Sequence, residues 1–167
     1  VIPTASDNVL FRSFGACMAN NANTTASSNV VCNDITIETN LSIGNSAQLN
    51  VGGDFSNSGS FNAGTGRVVF DGSAPQTVFT GGDMNISNSA TFTNGIVNTN
   101  GHNVIFASGA SSGSGNANSF VDGNIRKLNF NSAFTFPSGD VNTRDIGAGN
   151  QTYTIWAPFI ANPVATT

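Results

Sequence analysis

The stretch from Asp34 to Phe106 reads DITIETNLSIGNSAQLNVGGDFSNSGSFNAGTGRVVFDGSAPQTVFTGGDMNISNSATFTNGIVNTNGHNVIF, and its pattern decides the fold. Apolar residues come in pairs with one residue between them: Ile35 and Ile37, Leu41 and Ile43, Leu49 and Val51, Val68 and Phe70, Met84 and Ile86, Val104 and Phe106. Alternation with period two places one face of a strand in a core and the other in water. Strands this short bury too little on their own. Turns of Gly, Asn, Ser and Asp every several residues wind such strands into coils whose rungs must stack on one another. The pattern predicts an all-β fold, a parallel β-helix or β-solenoid. A sandwich with hairpins every 8–12 residues or roughly so would give a related signal. Two-residue Asn-Gly turns are confined to Asn94-Gly95 and Asn100-Gly101, however, which favours parallel winding.

A loose internal repeat supports the coil. Gly52-Gly53-Asp54-Phe55 returns as Gly81-Gly82-Asp83-Met84, Ser58-Gly59-Ser60-Phe61 as Ser89-Ala90-Thr91-Phe92, and Arg67-Val68-Val69-Phe70 as Asn103-Val104-Ile105-Phe106. The expected organisation is an N-terminal cap over residues 1–33, solenoid coils over 34–109, and a C-terminal β-region over 110–167 that closes the coil. GASSGSG at 109–115 reads as a flexible or bulging loop. Beyond it the strands become longer and more aromatic, with Tyr153, Ile155 and Trp156 near the end.

Composition narrows the function classes. The chain holds 25 Asn against 14 charged residues, and charge makes up only 8% of it, where ordinary domains carry roughly 25%. Thirteen Phe at strand spacing argue against disorder. With net charge −4 and five scattered basic residues, there is no footprint for nucleic acid and none for an anionic membrane surface. No apolar run approaches the roughly 20 residues that span a bilayer. The opening VIPTASDN lacks signal-peptide regions and reads as a mature chain after cleavage or an excised fragment.

Cys17 and Cys32 bracket a polar, Asn-rich segment. A disulfide between them, clamping the cap, is the leading expectation; closing such a loop would contribute roughly 3 kcal/mol. Two buried free thiols are the alternative, and the absence of a nearby His disfavours metal. A disulfide implies an oxidising compartment, so an extracellular or cell-surface location is expected.

Leu49 to Gly66 followed by Val68-Val69-Phe70-Asp71-Gly72, and Ser119-Phe120-Val121-Asp122-Gly123 followed by Phe134-Thr135-Phe136-Pro137-Ser138-Gly139-Asp140, resemble a module of giant secreted surface proteins of gliding bacteria. The likeness covers roughly residues 29 to 147. It implies adhesin-like cargo of the type 9 secretion route with β-solenoid stalks, and no shared catalytic motif. Ser138 stands where the family more often has Val, and the chain ends at PVATT without the sorting domain typical of such cargo.

Chemistry-bearing residues are sparse. Asp54, Asp71, Asp83 and Asp122 each adjoin Gly, as tight turns demand; calcium held between coils is the sharper alternative, but no known calcium-loop spacing is present. Asp122, Arg126 and Lys127 are the only grouping that resembles a polysaccharide-cleaving site, and Glu38 is the only Glu. Charges on a strand edge that discourage aggregation explain that grouping equally well. His102 lies in a turn without a partner. Neither a cofactor nor catalysis is expected. The expected role is structural or adhesive: a stalk module or filament subunit, part of a larger surface protein or self-assembling end to end by strand addition. Val1, Ile2, Tyr153, Ile155 and Trp156 are the candidate interface, within a 153–160 strand. Binding of surface glycans is the alternative, and a polysaccharide-acting enzyme comes third.

Overall fold

The computed structural model describes residues 4–11, 23–26, 29–44, 47–72, 77–129, 132–145 and 150–162. Among them there is no helix. The chain is a β-solenoid whose turns each lay down three short strands, one per side.

The first turn comprises β1 (Val9–Phe11), β2 (Asn23–Ala26) and β3 (Val30–Cys32), the second β4 (Ile35–Ile37), β5 (Asn40–Ile43) and β6 (Gln48–Val51). The third holds β7 (Phe55–Asn57), β8 (Ser60–Asn62) and β9 (Arg67–Phe70), the fourth β10 (Thr77–Thr80), β11 (Met84–Ile86) and β12 (Ser89–Phe92). In the fifth, β13 (Ile96–Phe106) supplies two sides and β14 (Ser111–Ser112) the third. β15 (Val121–Lys127) again turns one corner, and the end is finished by β16 (Phe134–Phe136), β17 (Ser138–Asp145), β18 (Asn150–Trp156) and β19 (Phe159–Ala161). All pairing within the coil is parallel: Ile35 lies on Phe55, Phe55 on Val78, Val78 on Val97 and Val97 on Val121, steps of 20, 23, 19 and 24 residues.

These steps correct the reading of the internal repeat. The two Gly-Gly-Asp copies, 29 residues apart, do not stack: the first leads into β7 on the first side, the second into β11 on the second. The three sides make the same demand, a tight corner followed by an inward apolar residue, so sequence likeness tracks corners rather than turns. Stacking also reaches past the expected boundaries. β1 pairs with β4 inside the region expected to be a cap, and Ser111–Ser112 of the expected loop pairs with β12 as the third side of the fifth turn.

Inward positions alternate strictly with outward ones, as in β4 and β7. The third turn fills its cross-section with one Phe from each side. Phe55 meets Phe61 edge-on at 5.4 Å and Phe70 edge-on at 5.8 Å, and Phe70 stacks on Phe92 of the next turn. Such contacts each add about 0.5–1.5 kcal/mol beyond burial. Corners are stapled by Asx side chains that reach one turn along. The Asp34 carboxylate accepts from the Asp54 amide at 2.8 Å and the Asp83 carboxylate from the Asn103 amide at 2.8 Å, while the side-chain amides of Asn88, Asn94 and Asn116 donate to the carbonyls of Thr65, Gly72 and Thr93. At the Gly59 corner a Cβ would overlap the Thr39 carbonyl oxygen of the turn above, so the close approach of successive turns requires glycine there.

The disulfide clamp is not seen. Cys32 is a free, fully buried thiol, and Cys17 lies outside the described residues. The reason is positional: Cys32 occupies an inward rung position, in register with Val51, which lies on Phe70. Burial, then the charges of Asp34 and Asp71, push its pKa to about 11, which keeps the thiol protonated and inert. In a Cys17→Ser variant, Cys32 is expected to resist a thiol-titrating reagent until denaturant unfolds the coil; rapid labelling of the native protein would contradict this placement.

Asn57 breaks the apolar interior. Its side-chain oxygen and nitrogen are fully buried without a partner, in register with Ile37 on one side and Thr80 on the other. A buried polar group left unpaired costs about 1–3 kcal/mol. Asn57→Leu is expected to raise the unfolding free energy by about 1–3 kcal/mol, read as a higher denaturant midpoint with unchanged slope.

Candidate functional site

A solenoid completes its bonding everywhere except at its ends, and the C-terminal end carries chemistry of its own. The inward column Ile86–Phe106 ends at Lys127, a charge where the pattern calls for an apolar side chain. Its ammonium donates to the carbonyl oxygens of Ala107, Ser108 and Ala110 and lies 5.2 Å from the centroid of the Phe134 ring. Lys127 thereby closes the core with a polar cap, and burial lowers its pKa from the usual lysine value. Phe134 continues the aromatic stack from Phe106, and Phe136 passes it on to Phe159, whose ring lies parallel to that of Phe136 at 4.5 Å. β16 and β19, paired antiparallel, carry these rings.

β17 begins as one more rung, its Ser138–Gly139 pairing with Val121–Asp122, then runs on as an antiparallel ribbon with β18. The Ser138 hydroxyl donates to Ala157 O at 2.7 Å and the Trp156 indole to Ser114 O at 3.2 Å, which tie the ribbon to the coil. The expected 153–160 strand is broken at Ala157-Pro158 into β18 and β19, which pair with different partners; proline cannot donate to a ladder. Ile155, Trp156, Phe159 and Ile160 are 41–63% exposed, and among the described residues the only other exposed large apolar residue is Val31, at 36%. Tyr153 lies on β18 opposite Asn142, whereas Val1 and Ile2 fall outside the described residues.

Between β15 and this cap runs an open groove of about 570 Å³, lined by Asn103, Gly123, Asn124, Ile125, Arg126, Phe136, Ser138 and Phe159. The residue pattern carries one sign of this groove, Gly123, which takes φ +129° where β15 turns its corner and where a Cβ would overlap the buried hydroxyl of Thr99.

The structure disperses the acid–base grouping. Lys127 points inward and Arg126 lies on the exposed side of β15, while Asp122 precedes the corner and pairs with Gly139. No cluster of three or more metal-ligating side chains occurs among the described residues. Asp83 is held below the usual carboxylate range by the Asn103 side-chain and backbone amides, so its charge staples a corner. Compared with known protein families, curated proteins and solved structures, the chain matches none.

Burial, and to a smaller degree Asp140, raises the pKa of Asp122 against an opposing hydrogen bond from the Val141 backbone. The fold thus disfavours its carboxylate. The stability Asp122 contributes is present below its unfolded pKa and is lost as pH rises through the raised folded value. Asp122→Asn is expected to be more stable than the parent at pH 7 and equal to it at pH 3, as read from urea unfolding at both pH values.

Proposed function

We propose that this chain is an extracellular structural or adhesive β-solenoid, a stalk module or filament subunit that joins its neighbours end to end by strand addition. The observation that carries this reading is the contrast between middle and ends. Interior strands have a parallel partner on each side, whereas β1, β2 and β3 each have one partner among the described residues, as does β18 at the far end. An unpaired strand edge is a template for another strand, and the exposed apolar stretch Ile155–Ile160 sits beside it. The resemblance to secreted stalk proteins supports the extracellular setting. A heterologous end-to-end contact of this kind gives an open filament.

A second reading, binding of surface glycans, draws on the outward positions of the second side. Asn40, Ser42, Ser60, Asn62 and Asn85 form a ladder of amides and hydroxyls there. The end-on reading is preferred because it also accounts for the apolar stretch.

Light scattering over a concentration series tests it. The expected result is a species larger than 17.1 kDa that grows with concentration, reduced to the single chain by a paired Trp156→Lys and Ile160→Lys change. A particle of 17.1 kDa at every concentration, in the parent protein, would overturn the filament reading.

A further inference from the structure

The C-terminal end is incomplete in one specific place. The first half of β15, Val121–Asp122, has gained β17 as a further rung, but its second half, Asn124–Lys127, pairs with β13 alone among the described residues. The second side of the coil therefore stops one strand short of the first. No described strand of the cap takes that position; the 570 Å³ groove lies there.

The backbone in the groove is oriented for pairing. The Leu128 amide donates to Phe106 O at 2.8 Å, back towards β13. Successive residues of a strand direct their N–H and C=O to opposite sides. Ile125 and Lys127 consequently aim theirs away from β13, at the open edge. The side-chain chemistry is equally specific. Ile125, Phe136 and Phe159 offer apolar surface, and Arg126 is the one charged group among the described residues lining the groove; it is exposed, and the Asp83 carboxylate is near enough to feel its charge.

We propose that this groove receives an extended strand of another polypeptide, about four residues or ~13 Å long, paired to the edge of Asn124–Lys127. It places an apolar side chain opposite Ile125 and a carboxylate opposite Arg126. Three observations select a peptide strand of that chemistry. The vacancy continues an existing ladder, so the new bonds repeat those already made between turns. Along the edge the apolar Ile125 is followed by the cationic Arg126, and side chains of an added strand are read at such successive positions. The one cation in the groove's lining favours an anion at one defined position of the incoming strand. The inference rests on the strand-addition reading for the kind of bond, but needs no filament, because one chain carries the whole groove.

The test uses the full chain and two fluorescently labelled hexapeptides, acetyl-Ser-Asn-Val-Asp-Val-Ser-amide and the same peptide with Arg in place of Asp, followed by anisotropy. The parent protein is expected to prefer the Asp peptide about fivefold, and Arg126→Glu to invert the preference. Arg126 is exposed, so the variant keeps the fold. Bound peptide is expected to slow hydrogen exchange at the Ile125 and Lys127 amides. Binding of neither peptide, a preference that Arg126→Glu leaves unchanged, or binding without slowed exchange at those two amides overturns the proposal. So does retention on a polygalacturonate column by a protein that ignores both peptides. Peptide binding by a protein that stays at 17.1 kDa would sink the filament reading and leave this one standing.

Discussion

The parallel ladder from each turn to the next is the interaction on which everything else in this protein depends. An inward side chain such as Leu49 or Phe55 is fully buried only because another turn lies above it and another below. A single turn of twenty-odd residues has no interior of its own, and its cohesion comes from nearest-neighbour contacts. That constraint explains the composition. Outward and corner positions repeat at strand spacing, so charged residues there would stack like on like and repel. Asn, Ser and Thr supply hydrogen bonds without that penalty, and the staples from Asn88, Asn94 and Asn116 each reach one turn back. Glycine at the Gly59 corner lets the turns approach.

The same constraint sets the ends of the coil apart from its middle. A stack of turns has no natural stopping point, so stopping needs chemistry of its own. Lys127 ends one inward column by giving its ammonium to three carbonyl oxygens, and the ring sequence Phe106–Phe134–Phe136–Phe159 carries the core outwards into the cap. The closure is lopsided. The first side is built out by β17 and β18, while the second halts at β15 and leaves its edge beside an apolar stretch. A site made this way is a place for bonds the ladder already knows how to make. In the proposed function it serves as a joint between chains.

Much of the fold was legible in the residues. Pairs such as Ile35/Ile37 and Leu49/Val51 announced inward faces, and those residues are buried. Elements whose local chemistry was ambiguous were misread. Ser111–Ser112 has no apolar residue to mark it as a strand, and it became one because β12 offered an edge at that height. The Gly-Gly-Asp copies looked like one repeat because corners on different sides have the same requirements. Cys32 looked like half of a bridge because spacing along the chain does not report that its side chain faces the core. Tyr153, Ile155 and Trp156 marked the correct strand, but Pro158 divided the segment that was expected to be continuous. The groove on β15 left almost no trace, since it is defined by an edge that no described strand covers.

The sequence by itself determined that this chain is all-β, wound in short rungs, with Val, Ile, Leu, Met and Phe inside and amides and hydroxyls outside. Periodicity and turn chemistry are local properties, carried by neighbours along the chain. Only the tertiary structure decided which rung lies on which, that Cys32 is a core thiol, that Lys127 is a plug and that the second side ends with an open edge. Those outcomes follow from contacts between residues about a turn or more apart, and parallel register across such distances is set by the stack as a whole.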